Sequence, residues 1–159
     1  MQATYLDNNA TTRLDPVVLD AMMPFLSEHY GNPSSIHGFG EPVRKAIELA
    51  RTQVAALLGA EHASEIVFTS CATEANSTVL LSAVEALPDR KEIITTVVEH
   101  PAILEVCEHL ERRGYTIHRL PVNGKGQLDL DQYQSLLSDK LALVSVMWAN
   151  NETGTLFPV

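Results

Sequence analysis

The sequence of 159 residues is 45% hydrophobic and 19% charged, a balance that is typical of a folded, soluble protein with its own core and that excludes intrinsic disorder. The net charge of −9 opposes binding to nucleic acid or to an anionic membrane. No stretch approaches the roughly 18 consecutive apolar residues of a membrane span, and the first residues lack a leader pattern. We therefore expect a cytoplasmic protein with no nucleic-acid or membrane partner.

Helices and strands alternate along the predicted chain. Asp15 followed by Pro16 is typical of an N-cap and a first helical residue, and it opens a helix that runs to about Glu28. A segment rich in Gly, Asn, Pro and Ser follows at residues 30–42, and irregular segments of that length are often functional. Beyond it, the apolar spacing predicts helices at residues 41–58, 73–87, 101–113 and 129–137, and strands at 65–70, 92–98, 115–122 and 141–147.

This alternation predicts the fold class. Strands separated by helices of such lengths form βαβ units, so we expect an α/β fold with a mainly parallel sheet and helices on both faces. No repeat, low-complexity tract or linker divides the chain into independent parts.

Polar segments follow three of the predicted strands, at the carboxyl ends where α/β proteins bind ligands. After residues 65–70 a helix begins near Thr73, whose hydroxyl and neighbouring free N–H groups suit a phosphate. An alternative is that this segment only starts a helix, with a Ser or Thr as N-cap and Glu74 in the first turn, and has no binding role. His100 follows residues 92–98; its ring could stack on a flat cofactor, transfer a proton or only cap the next helix.

The third polar segment is "WANNETG", which follows residues 141–147. Asn150 and Asn151 can donate and accept hydrogen bonds, and Glu152 brings a carboxylate. Alone, the segment could be an ordinary turn. Because three polar segments lie at the same end of three strands, we expect them to form one crevice.

Cys71 and Cys107 are the only thiols, and their spacing indicates neither a disulfide framework nor a zinc site, so we expect both to be reduced. Cys71 lies at a helix start, where a thiol can be activated, but without a basic neighbour an apolar filler is the favoured interpretation. Cys107 lies on the apolar side of a helix and is predicted to be in the core. The histidine spacing matches no metal motif, and no dinucleotide or Walker motif is present, so we expect no metal site.

Five motifs occur in order along the chain: "YLDNNATT" (5–12), "YGNPSSIHGFG" (30–40), "EIVFTSCATEANS" (65–77), "TTVVEHPAIL" (95–104) and "LVSVMWANNETGTLFPV" (143–159). Together they resemble cysteine desulfurases of the nitrogen-fixation type, which are pyridoxal-phosphate enzymes of the class V aminotransferase group. The resemblance spans essentially the whole chain.

The resemblance implies pyridoxal 5'-phosphate as cofactor and L-cysteine as substrate, with L-alanine and an enzyme-bound persulfide as products. The sulfur would pass to an iron–sulfur scaffold protein for nitrogenase cluster assembly, and the complete enzyme would be a cytoplasmic homodimer. The resemblance implies metal binding only in the context of iron–sulfur cluster assembly, and no metal site in this chain.

The resemblance also implies residue roles. Ala72 and Thr73 would bind the cofactor phosphate, Asn151 would approach its phenolic oxygen, and His100 would be the catalytic residue that stacks on its ring. Cys71 would only line the phosphate turn. Residues 1–14 would form an N-terminal arm, and residues 15–159 the incomplete first half of the large domain of a fold-type I pyridoxal-phosphate enzyme.

The sequence differs from that family in ending at Val159. The family continues with an aspartate that pairs with the pyridinium nitrogen, a "GHK" lysine that forms the Schiff base and a persulfide-forming cysteine. The four lysines present are in no such context and are expected on the surface: Lys45, Lys91, Lys125 and Lys140. We therefore expect this fragment to be inactive alone. Two alternatives remain open: another class V pyridoxal-phosphate enzyme, such as a selenocysteine lyase or an aminotransferase, or a noncatalytic fragment module.

Overall fold

The computed structural model describes residues 3–159, which fall into two units, one ending at Phe68 and the other comprising Thr69–Val159. The first unit contains helices α1 (Pro16–Ser27) and α2 (Glu41–Leu58) and a short 3-10 helix at Ala63–Glu65. Asp15 Oδ1 accepts a hydrogen bond from the Val17 N–H at 2.8 Å, and Gly59 ends α2 with a left-handed φ of 72°. Both helix predictions are confirmed, because the caps and the proline fix the ends where the sequence indicates them.

The irregular segment at residues 30–40 closes on itself. Ser34 N donates to Asn32 Oδ1 at 2.9 Å, and Gly40 N donates to His37 O at 3.1 Å. A Cβ added to Gly31 would overlap the carbonyl oxygen of Phe39, and one added to Gly40 would overlap the carbonyl oxygen of Asn32. The two glycines therefore allow two stretches of backbone to approach more closely than any side chain permits.

The predicted buried strand at residues 65–70 is wrong. Residues 66–69 have no strand assignment, and the three strands described below pair only with one another. Val67 is 73% exposed and Phe68 is 49% exposed. Arg51 donates a hydrogen bond to the Ile66 carbonyl and lies 5.0 Å from the centre of the Phe68 ring. A β-branched run becomes a strand only where a neighbouring strand takes its backbone hydrogen bonds.

The second unit is built on a parallel sheet. Its strands are β1 (Glu92–Thr96), β2 (Thr116–Leu120) and β3 (Leu141–Val144), in the order β2-β1-β3, and both pairings of β1 are parallel. The three strand predictions in this unit are confirmed. Its helices also match the predicted segments: α3 (Ala72–Ala86), α4 (Pro101–Arg112) and α5 (Leu130–Ser135).

Both faces of this sheet are covered, as the α/β prediction requires. Ile93 points to the face covered by α3 and α4, and its neighbour Ile94 points to the opposite face, where Tyr133 of α5 packs. Cys107 of α4 is fully buried beside Ile93, so its predicted place in the core is confirmed. The alternation of Ile93 and Ile94 is the two-residue period of a strand buried on both sides.

No helix within residues 3–159 combines the length and the apolar character needed to cross a membrane.

We predict that Gly31→Ala and Gly40→Ala each destabilise the chain by about 1–3 kcal/mol, because the added methyl group meets backbone that cannot rotate away. The measurement is the free energy of unfolding from urea titration followed by circular dichroism. Gly38→Ala is the matched control, since a Cβ at Gly38 has nothing within 4 Å. Equal stability for all three variants would contradict this description of the loop.

Candidate active site

The parallel sheet brings three chain segments of the second unit to one edge. The loops after β1 and β3 leave from the same edge, because the two strands are parallel neighbours. Helix α3 leads into β1 through residues 87–91 and packs on the sheet through Leu80 and Val84. It therefore runs against the strand direction, and its N-terminus lies towards the carboxyl edge, where α/β proteins bind ligands.

The N-terminus of α3 is rich in hydrogen-bond donors. Cys71 is the N-cap, with an extended backbone, and Ala72 and Thr73 are the first two helical residues. Their N–H groups have no acceptor within the helix. Glu74 Oε2 accepts from both the N–H and the hydroxyl of Ser70 at 2.6 Å, and these bonds lower the pKa of the Glu74 carboxyl. Glu74 in the first turn therefore binds Ser70 as a helix-start carboxylate does, but the N-cap is Cys71 and not the Ser or Thr that the sequence suggests. The N–H groups of Ala72 and Thr73 remain without an acceptor in the helix.

Cys71 is exposed, so its interpretation as a buried apolar filler is wrong. The pKa of its thiol is lowered, first by the Glu74 N–H, then by the Ser70 hydroxyl and the Thr73 N–H, while burial opposes this shift. Cys71 has no basic residue beside it in the sequence. Backbone N–H groups, rather than a basic side chain, lower its pKa. The sequence does not indicate whether Cys71 is exposed or buried, because its exposure depends on the residue at which α3 begins.

His100 is the N-cap of α4. Its Nδ1 accepts a hydrogen bond from the Ala102 N–H at 3.1 Å, so the ring proton is on Nε2. The residue is otherwise exposed. The capping interpretation of His100 therefore holds, and capping leaves the ring faces and Nε2–H available at the edge.

Asn151 lies in the turn that follows β3, and its Nδ2 donates to Glu152 Oε1 at 2.8 Å. Asn150 holds this turn together: its Oδ1 accepts from Glu152 N at 3.0 Å and from Thr153 N at 2.9 Å. Asn150 Nδ2 also donates to Val98 O at 3.3 Å, in the loop after β1. Asn150 thus joins the turn of Asn151 to the loop that carries His100.

Glu99 is a buried carboxyl between the two loops, which no pattern in the sequence indicates. It is only 7% exposed, and its Oε1 accepts from Met147 N at 2.7 Å and from the Thr96 hydroxyl at 3.3 Å. Burial raises the pKa of this carboxyl, and the bonds from Met147 and Thr96 oppose the rise. In the sequence, Glu99 reads as an ordinary surface glutamate beside His100, because its burial depends on a loop that follows much later in the chain.

The donors at the start of α3 fit a phosphate. The N–H groups of Ala72 and Thr73 have no acceptor within α3, the Cys71 side chain makes no capping hydrogen bond, and the Thr73 hydroxyl lies beside these N–H groups in the first turn. Amide and hydroxyl donors at a helix N-terminus are the groups that bind phosphate in proteins.

The four lysines are all exposed, as predicted. Within residues 3–159 no cluster of three or more His, Cys, Asp or Glu residues could hold a metal ion.

A parallel sheet with helices on both faces, and with amide donors, an imidazole and a side-chain amide at its carboxyl edge, is the arrangement of a cofactor-binding enzyme domain. Comparison with known proteins gives the family: residues 4–159 match the aminotransferase class-V family. The chain belongs to this family, whose members are pyridoxal-phosphate enzymes.

Individual relatives agree with this assignment. A protein named cysteine desulfurase from Enterobacter agglomerans is 65% identical over the whole chain, which covers 40% of that relative. A solved structure named as a NifS-like protein superposes with a TM-score of 0.90 and 45% identity, over 96% of this chain and 42% of that one. Another, named SspA in complex with cysteine, gives a TM-score of 0.90 and 33% identity over 98% of this chain and 45% of that one. The chain thus spans about 40% of the length of the curated relative.

We predict that iodoacetamide modifies Cys71 and not Cys107 in the folded chain, because Cys71 is exposed and Cys107 is fully buried. The rate at Cys71 should reach half of its maximum at a pH below the ordinary thiol pKa of about 8.5, since a lowered pKa makes the reactive thiolate available at lower pH. Peptide mass spectrometry over a pH series measures both rates. Equal modification of the two thiols in the absence of denaturant, or an ordinary midpoint at Cys71, would contradict the geometry at the start of α3.

Proposed function

We propose that this chain is the amino-terminal portion of a pyridoxal-phosphate-dependent cysteine desulfurase of the nitrogen-fixation type. The observation that carries the proposal is the start of α3, where the N–H groups of Ala72 and Thr73 have no acceptor within the helix and the Cys71 side chain makes no capping hydrogen bond, on the sheet edge to which the strand direction also brings His100 and Asn151. The 65% identity to a protein named cysteine desulfurase supports the choice of reaction within the family. In this proposal residues 1–14 are an arm and residues 15–159 are part of the large domain.

The chain's residues have separate parts in this site. Ala72 and Thr73 bind the phosphate through their N–H groups and the Thr73 hydroxyl, and the positive end of the helix dipole favours the charge. His100 stacks on the cofactor ring, held in orientation by the Ala102 N–H, and its Nε2–H can donate to a bound carboxylate or amine. The Asn151 amide approaches the phenolic oxygen. When bound, pyridoxal phosphate supplies an electron sink for bond cleavage next to the amino group of the substrate.

We propose L-cysteine as the substrate, with L-alanine as the product and the sulfur passed, as a persulfide on a cysteine of the complete enzyme, to an iron–sulfur scaffold protein. The cysteine complex named for one structural neighbour supports this substrate class. A cytoplasmic homodimer is proposed for the complete enzyme. The apolar and largely exposed face of α1 supports an association of this kind; it is formed by Val17, Val18, Ala21, Met22, Phe25 and Leu26.

We predict that the chain binds pyridoxal phosphate more tightly than pyridoxal, and that Thr73→Val removes much of this preference. The substitution deletes the hydroxyl while keeping the side-chain shape, so affinity for pyridoxal phosphate should fall about tenfold and affinity for pyridoxal should stay unchanged. Fluorescence quenching of the single tryptophan, Trp148, gives both dissociation constants. Equal affinities for the two ligands in the unmodified chain would contradict the phosphate site.

His100→Asn tests the ring contact separately. Asparagine is a good N-cap, so the variant keeps an acceptor for the Ala102 N–H while the imidazole is lost. We expect both pyridoxal phosphate and pyridoxal to bind about two- to tenfold more weakly, as loss of one stacking contact implies, with unchanged helix content by circular dichroism. Unchanged affinity for both ligands would show that His100 is only a cap.

We predict no formation of sulfide or alanine when this chain is incubated with pyridoxal phosphate, L-cysteine and a thiol reductant. None of its lysines is in a GHK context, and the four of them are exposed on the surface. Borohydride reduction followed by intact-mass measurement should also detect no attached cofactor. Turnover above that of free pyridoxal phosphate would contradict this prediction and would require one of the four lysines to act.

A further inference from the structure

A buried carboxylate joins the two loops that carry His100 and Asn151. Glu99 directly precedes His100, and Met147, four residues before Asn151, donates its N–H to Glu99 Oε1 at 2.7 Å. A carboxylate that is 7% exposed is stable only where donors replace its lost water. The Met147 bond is therefore a short contact between the two loops that is shielded from water.

This bond takes the place of a sheet hydrogen bond. Ser145 N donates to Ile94 O at 2.9 Å, which continues the parallel ladder one residue beyond β3. The next donor on that side is two residues later, at Met147, and a regular ladder would send it to the Thr96 carbonyl. It goes instead to the Glu99 carboxylate, so the side chain ends the ladder and sets where the loop after β3 leaves the sheet.

Thr96 completes the arrangement. Its hydroxyl donates to Glu99 Oε1 at 3.3 Å and accepts from Val98 N at 3.3 Å, and the residue is fully buried. The loop after β1 is thus bonded to the same oxygen atom that holds Met147. The second tie between the loops, from Asn150 Nδ2 to Val98 O, is an uncharged bond of 3.3 Å.

No cation contributes to the state of Glu99 among the residues described. Its hydrogen-bond partners are the Met147 N–H and the Thr96 hydroxyl, and Glu99 is one of the groups that raise the pKa of the Cys107 thiol on α4, after the larger effect of burial. The carboxylate is thus held by hydrogen bonds alone, which have a strict geometry. A group of this kind specifies a position in a way that an ion pair between flexible chains does not.

We propose that Glu99 is a positioning residue for the cofactor site: by holding the Met147 N–H against the loop after β1, it fixes the turn of Asn151 relative to His100. The cofactor part of this inference rests on the proposed function. The bond itself is independent of any ligand, so the two parts have separate measurements.

The test compares Glu99→Leu, which removes the acceptor and suits a buried position, with Glu99→Gln, which keeps an acceptor oxygen for Met147. Glu105→Leu is the matched control, because Glu105 is an exposed glutamate on α4. Hydrogen exchange followed by mass spectrometry on the peptide containing Met147, without ligand, reports the bond. The dissociation constant for pyridoxal phosphate reports the site, and thermal unfolding reports global stability.

We expect faster exchange at Met147 and about tenfold weaker pyridoxal phosphate binding in Glu99→Leu, with near-normal values for both measurements in Glu99→Gln and in the control. Unchanged exchange in Glu99→Leu would overturn the bond. Faster exchange with unchanged affinity would overturn the positioning role, and so would equal loss of affinity in Glu99→Gln and Glu99→Leu.

If Glu99→Leu does not fold, Thr96→Val, which removes one donor to Glu99, replaces it. The same changes are expected in that variant at smaller amplitude, and normal exchange with normal affinity would overturn the proposal. Failure of the unmodified chain to bind pyridoxal phosphate would instead overturn the proposed function. The failure of that proposal can thus be distinguished from the failure of the positioning role of Glu99.

Discussion

The parallel pairing of β1 with a strand on each side is the constraint on which the second unit depends. Because β2, β1 and β3 run in one direction, every loop that follows a strand leaves at one edge and every helix returns along a face. The cores on the two faces, around Ile93 and Ile94, hold this pairing in register. The proposed site therefore depends on strand direction, since it combines residues distant in sequence that the topology directs to that edge.

The residues at that edge have roles in folding that are compatible with the proposed binding roles. Cys71 and His100 are both N-caps, Glu74 satisfies Ser70, and Asn150 organises a turn. In each case the local bond leaves a neighbouring group directed outward: the N–H groups of α3, the imidazole ring or the Asn151 amide. From the sequence, capping and binding are alternative interpretations of these residues. In the structure the two are compatible, because a helix N-terminus has more N–H donors than its caps satisfy.

Local pattern predicts most of the fold. Helix α2 has the predicted limits because apolar spacing, Pro42 and Gly59 are all local signals. The strand expected at residues 65–70 fails because pairing depends on a partner, which a β-branched run does not encode. Glu99 escapes prediction for the related reason that its burial depends on Met147, far along the chain. Thr73 and His100 are site predictions because each comes shortly after a strand-like run in the sequence, whereas no sequence pattern indicates the exposure of Cys71.

The central claim is that the start of α3 and the loops after β1 and β3 form one cofactor site. Titration of the 15N-labelled chain with pyridoxal phosphate, followed by two-dimensional NMR, tests it most directly. The account predicts saturable shifts confined to the amides of Ala72, Thr73 and His100 and to the backbone and side-chain amides of Asn151, with the shifts at α3 absent when pyridoxal is used. Shifts at other surfaces, or equal shifts with both ligands, would contradict it.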